Sequence, residues 1–207
     1  MAILTLPATL KVRKFDFGQE RFDLEFSSGD TGTSQVRVLA PPRWTCALVA
    51  PQWLRTTEAA VWRDLILRLQ GRVNQLAVHD FDNEAPQGTM RGTLTLASAV
   101  AINATTLSIT GGVGQAGTTL LAGDWIGIGS GSTRQVVSIA ANATANGSGV
   151  IAVTIAQPSR WAQSSGSGVT WDKPTSLFRQ RSLDSRWSRE GDVRSGYSLD
   201  LIESWET

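Results

Sequence analysis

Leu121-Ala122-Gly123-Asp124-Trp125-Ile126-Gly127-Ile128-Gly129-Ser130-Gly131-Ser132-Thr133-Arg134-Gln135-Val136-Val137-Ser138-Ile139 decides the fold. Two short apolar runs, Asp124–Gly129 and Arg134–Ile139, flank the glycine corner Gly129-Ser130-Gly131. Runs this short, rich in Val and Ile and bounded by glycine, read as β-strands rather than as helix turns. The pattern repeats on both sides. Thr105–Thr110, Ile151–Ile155 and Val169–Trp171 are further strand candidates, separated by Gly111-Gly112 and by Asn146-Gly147-Ser148-Gly149. About five short strands with glycine corners and no helical periodicity suit a small barrel or sandwich.

This run lies inside a block of unusual composition. Residues 92–171 carry only three charged side chains (Asp124, Arg134 and Arg160) and 13 of the chain's 20 glycines. Residues 1–91 and 172–207 are both rich in charge and aromatics. The last 36 residues are short for an independent domain. The economical organisation is a domain in two parts, 1–91 and 172–207, interrupted by an inserted glycine-rich, β-barrel-like domain at 92–171. A flexible low-complexity linker at 92–171 is the alternative, and the β-like apolar runs argue against it.

In the first flank, Phe22, Leu24 and Phe26 alternate with Asp23 and Glu25, which predicts a strand with one face buried. Ser27–Gly32 reads as a turn. Gln35–Leu39 is a second strand, stopped by Pro41-Pro42, and Trp44–Val49 a third, ended by Pro51. One helix is clear. Trp62, Leu65, Ile66 and Leu69 form an apolar stripe, Thr56 or Thr57 caps the start, Glu58 sits in the first turn, and Gly71 fits the left-handed end. This helix is expected to lie across a sheet. Asn74–Asp80 is extended again. Leu177–Arg181 and Tyr197–Ile202 read as strands that complete the sheet begun near the N-terminus. The fold class is therefore mainly β with one helix, a β-sandwich domain carrying a small inserted β-barrel-like domain.

The 207 residues hold 19 Lys+Arg against 18 Asp+Glu, a formal net charge of +1. That balance argues against nucleic-acid or membrane-surface binding driven by electrostatics. Cys46 is the single cysteine, which excludes an intrachain disulfide and a cysteine-based zinc site. It lies on a strand and reads as a buried, inert thiol. No apolar run approaches the ~20 residues needed to span a bilayer. The first residues lack a secretory pattern, so folding in a reducing cytoplasm is expected. The chain has 8 Trp and 16 Arg to 3 Lys. Both biases suit contact surfaces.

Candidates for chemistry are few. His79, the only histidine, begins a run with Asp80, Asp82 and Glu84. It reads either as a metal or acid–base site, hence a hydrolase, or as the charged end of a strand turning into a loop before Pro86. Gly111–Gly117 resembles a phosphate loop only in its glycines, because no Lys-Ser/Thr ending follows. Trp125, Trp161 and Trp171 could stack on sugar rings or serve as large core residues. Arg179, Arg181, Arg186, Arg189 and Arg194 crowd the last segment. They suit either a solvated face or Arg–carboxylate contacts between subunits. Trp53 and Arg55, in a proline-flanked loop before the helix, are the other interface candidates, with the tip at Gly111–Gly117 a third.

The order of these features resembles the distal tail (Dit-like) proteins of long-tailed bacteriophages and gene transfer agents. The resemblance spans nearly the whole chain. It rests on the N-terminal strands, the helix with Trp62 and Leu65, Asn74–Val78, and an insertion opening on Gly123-Asp124-Trp125-Ile126. Gly149–Ile155, Gln157-Pro158-Ser159-Arg160, the exit Pro174-Thr175-Ser176-Leu177-Phe178-Arg179 and the closing strand Tyr197–Glu203 complete it. It implies a structural virion protein at the tail tip, assembled in the bacterial host cytoplasm. Its partners would be sister copies in a ring, usually a hexamer, together with the tail tube protein and the tail hub protein. DNA would pass only as cargo. The inserted domain would point outward, and in some relatives such a domain resembles a carbohydrate-binding module. That makes a host glycan a candidate partner for Trp125, Trp161 and Trp171. The resemblance implies no cofactor, no catalysis and no membrane insertion.

Overall fold

The computed structural model of the chain describes residues 1–190 and 193–205 and, at 189–190 and 193–195, the backbone alone. Strands β1 (Ile3–Thr5), β2 (Lys14–Ser27) and β3 (Ser34–Val49) precede helix α1 (Thr56–Leu69), and β4 (Gln75–His79) follows it. Eight short strands come next: β5 (Leu94–Leu96), β6 (Thr106–Thr110), β7 (Thr119–Leu120), β8 (Trp125–Ile128), β9 (Gln135–Ser138), β10 (Ala143–Thr144), β11 (Val150–Thr154) and β12 (Gly168–Thr170). The chain returns through β13 (Thr175–Gln180), the hairpin β14 (Ser188–Glu190) and β15 (Val193–Ser195), and β16 (Ser198–Glu203). The fold is mainly β with one α-helix. Two compact units divide it, Met1–Gln75 with Phe178–Ser204, and Leu76–Leu177 with Trp205.

The larger sheet has the order β1-β4-β13-β16-β3-β2. In the first unit its core is built by alternation. Leu199 and Leu201 of β16 are buried while Ser198 and Asp200 are not, and they lie opposite Leu48 and Cys46 of β3. Phe17 fills the gap between Trp44 and Phe178, with ring centroids 5.3 and 5.8 Å away. Cys46 is a buried thiol, 1% exposed. The stripe predicted for α1 is the buried one: Trp62, Leu65, Ile66 and Leu69, with Ala59, face inward. Its start differs from expectation. Neither threonine caps it. Arg55 is the cap residue, and its backbone N–H donates to Glu58 Oε2 at 2.9 Å, so the acidic residue in the first turn serves the free donor itself. At the other end Gln70 takes the left-handed conformation (φ 50°) ahead of Gly71.

Two expectations for the N-terminal strands are overturned. Pro41-Pro42 do not stop a strand, because β3 runs through them for 16 residues. The ladder pairs Glu20 with Arg43 and Phe22 with Ala40, leaving Arg21 alone opposite the two prolines. A bulge is where a strand tolerates residues without an N–H, and it absorbs them here. Second, the Phe22-Leu24-Phe26 face is not buried. Beyond the bulge β2 pairs only with β3, and Leu24 and Phe26 are 45% and 57% exposed.

In the second unit six strands run β11-β6-β5-β12-β8-β9, and the edge strands meet again. Ile139 bridges Ile155, Ala140 N–H donates to the Thr154 carbonyl at 2.8 Å, and Ala156 N–H donates to that of Ser138 at 2.9 Å. The sheet therefore curls into a half-barrel whose edge strands touch at one end. Leu107, Ile109, Ile126, Ile128, Val137, Ile151 and Val153 fill it, and the β7–β10 pair contributes Leu120. This unit is wider than the charge-poor block. Residues 76–91 belong to it because Met90 packs in its core and the Asp124 carboxylate grips the loop before it.

Candidate assembly surfaces

The outer half of the β2–β3 hairpin forms a two-stranded arm. Directly opposed residues of an antiparallel pair share a face. The pairs Leu24↔Arg37 and Phe26↔Gln35 therefore define one face, and Asp23↔Val38 and Glu25↔Val36 the other. Both faces carry uncovered apolar side chains, since Val36, Val38 and Leu39 are 61%, 70% and 60% exposed. Neighbouring exposed apolar residues on a strand pair mark a contact surface, whereas single ones do not. The tip is closed by Ser28 N–H donating to the Thr33 carbonyl at 2.9 Å, with Gly32 at φ 66°.

A second surface lies at the root of the same hairpin. Lys11, Pro51, Trp53, Leu54, Arg55 and Glu58 line an open cleft of about 540 Å³. Leu54 is buried and anchors the loop, and Trp53 stands 76% exposed. Lys11 Nζ lies 3.2 Å from Glu58 Oε1. The Arg55 N–H and the Lys11 ammonium hold the Glu58 carboxyl below its ordinary pKa. Arg55 makes no ion pair among the described residues. The two residues named from sequence thus share one ledge, with the indole and guanidinium turned outward.

The other arginine candidates are dispersed. Arg181 pairs with Glu20, and its carbonyl accepts from the Arg72 guanidinium. Arg186 is exposed and lies 2.7 Å from Asp184. Arg189 and Arg194 face each other across the β14–β15 pair, and their side chains lie outside the described residues. At the tip, Gly111–Gly117 forms a 3₁₀ turn at Val113–Gln115, and the Gln115 side-chain carbonyl accepts the Arg91 N–H at 2.9 Å.

Trp125, Trp161 and Trp171 are each half-buried. Trp171 packs against the barrel core, donates its Nε1–H to the Gly92 carbonyl at 2.8 Å, and stacks under the Arg91 guanidinium at 5.0 Å. Trp125 opens β8 opposite Ser138. The Trp161 carbonyl accepts the Ser159 hydroxyl at 2.8 Å.

The acidic run after His79 is a loop held by its own side chains. Asp80 accepts from the Asp82 N–H at 3.1 Å and from Asn83 Nδ2 at 2.5 Å. Glu84 lies 3.5 Å from His79 Nε2 and 3.6 Å from Lys173 Nζ. Burial holds the His79 pKa below its ordinary value, against the opposing pull of Glu84, so the imidazole is neutral at pH 7. Among the described residues no three His, Cys, Asp or Glu side chains come together as metal ligands, and no helix is long and apolar enough to cross a membrane.

Sequence reasoning missed the part played by Asp124. Its buried carboxylate accepts three backbone N–H groups, from Gln87 (2.6 Å), Gly88 (3.0 Å) and Leu121 (2.7 Å). Asp124→Ala orphans all three donors and should cost the second unit about 3 kcal/mol. A thermal melt followed by circular dichroism checks this, with Asp124→Asn expected to lie between. The only sequence signal is that Asp124 is the one acid among residues 92–171.

No family model matches the chain, and no curated protein matches it.

Proposed function

We propose that the chain is a structural assembly protein of a phage-type tail tip, without catalytic activity. It self-associates into a ring that joins the tail tube to the hub and leaves a central passage for DNA. The resemblance in element order supplies the tail-tip context. The observation that carries self-association is the β2–β3 arm, whose apolar side chains on both faces are left uncovered by the chain itself. An arm of this kind is stable in water only as a marginal hairpin, and a second polypeptide that covers it removes both the apolar exposure and the free strand edge. Trp53 and Arg55 are residue types that anchor such contacts.

Sedimentation of the purified chain with negative-stain imaging tests this. The expected result is a closed ring with a channel, and Val38→Asp combined with Phe26→Asp should leave monomers at concentrations where the parent chain is assembled. A parent chain that stays monomeric at high concentration, and binds neither tube nor hub protein, would overturn the proposal.

A further inference from the structure

The arm and the ledge sit at opposite ends of one continuous ladder, and their chemistries are complementary. Lys14 pairs with Val49 at the root, three residues from Lys11 on one strand and two from Pro51 on the other. The Asp23 and Glu25 face begins nine residues further along β2, about 30 Å away at roughly 3.4 Å per residue. A paired hairpin of this length cannot fold back on its own root, so the two surfaces of one copy never meet. Beyond the bulge the arm carries Asp23, Glu25 and Asp30 against Arg37 alone, two net negative charges. Asp23 and Glu25 make no ion pair among the described residues. They share their face with Val36 and Val38. The ledge offers the matching set. Trp53 supplies exposed apolar area beside the open cleft, the exposed Arg55 makes no ion pair within 4 Å among the described residues, and Glu58, the ledge's one acid, is already engaged by Lys11.

We propose that the valine- and carboxylate-bearing face of one copy's arm seats on the Trp53–Arg55 ledge of the next copy. This rests on the ring proposal and names its two contact surfaces. Val36 and Val38 cover the indole, and Asp23 and Glu25 reach Arg55. The contact joins unlike surfaces, so it is head-to-tail, and it closes into a ring when the rotation between copies divides a full turn. The opposite face, with Leu24 and Phe26, remains for a different neighbour.

The test combines cross-linking with charge reversal. Ser34 lies on the same arm face as Val36, and Gln52 adjoins Trp53, both exposed. A Ser34→Cys chain mixed with a Gln52→Cys chain and treated with a short bis-maleimide is expected to give a covalent dimer only in the mixture. Native Cys46 is buried and stays silent. Arg55→Glu, and separately Asp23→Arg with Glu25→Arg, should each raise the concentration for half-assembly by about tenfold or more. Combining the reversals should recover most of that loss. Melting temperatures of the variants confirm that each folds. If the parent chain never assembles, the ring proposal itself fails. If it assembles but the reversals change nothing and the mixture does not cross-link, the ring stands and the arm-to-ledge contact is wrong. Cross-linking of Ser34→Cys alone would show arm meeting arm, which also overturns the contact.

Discussion

Trp62→Ala is expected to be among the most damaging single truncations in the first unit, at about 3–5 kcal/mol. Trp62 is fully buried, its ring lies 6.4 Å from that of Tyr197, and its Nε1–H donates to the Lys11 carbonyl at 3.0 Å. Alanine leaves a cavity under α1 and also strips the Lys11 carbonyl of its donor. Trp62→Phe separates the two effects. Phenylalanine refills most of the volume and restores no hydrogen bond, so its expected cost is about 1–2 kcal/mol. A urea titration monitored by circular dichroism gives both values. Hydrogen exchange places them, since amides of α1 and β16 should lose protection while those of β6 and β11 keep it. The residue also links core to surface. Lys11 walls the ledge, so Trp62→Phe should loosen that wall and weaken assembly beyond what its stability cost explains.

The alternations that the sequence displays are of two kinds, and only one of them declares its partner. Tyr197, just before β16, and Leu199 and Leu201 within it are buried as expected, the two leucines opposite Leu48 and Cys46. In β2 the run Phe22, Leu24, Phe26 is just as regular, yet Phe22 is only half-buried and Leu24 and Phe26 stay exposed. Periodicity reports that a face is apolar, and what covers it is settled by the rest of the fold or by another chain. The strands of the barrel were legible because glycine corners bound each one. The three that escaped, β5, β7 and β10, are two or three residues long, too short to show a period. Pro41-Pro42 misled for a local reason. A proline pair blocks a ladder in general, but the single residue Arg21 opposite makes a bulge, and no property of either strand alone announces that register. Of the proposed contact surfaces, Trp53 and Arg55 were visible from residue type and a proline-flanked loop. The arm was not, because its two faces become a surface only once β2 and β3 are seen to pair without a third strand.

The turn Asn146-Gly147-Ser148-Gly149 carries two glycines that sequence cannot tell apart and structure separates. Gly149→Ala is expected to cost about 3 kcal/mol or more, and Gly147→Ala to stay within about 0.5 kcal/mol. Gly149 adopts φ 73°, and a Cβ built on it would lie 1.7 Å from the Gly112 carbonyl oxygen. The penalty therefore has two parts, the left-handed backbone of an L-residue and a collision with main chain that cannot swing aside. That neighbour is fixed, because Gly111 N–H donates to the Gly149 carbonyl at 3.2 Å and joins the turn to the end of β6. Gly147 has open space around its would-be Cβ and no positive φ, so alanine there meets nothing. Asn146 holds both variants to the same comparison, since its side chain accepts the N–H groups of Ser148 and Val150 at 3.0 Å in either case. Parallel thermal melts give the two values. A Gly149→Ala melt matching that of the parent would mean that the β6–β11 edge opens at little cost, and the half-barrel's edge contact at Ile139 and Ile155 would then have to carry the unit alone.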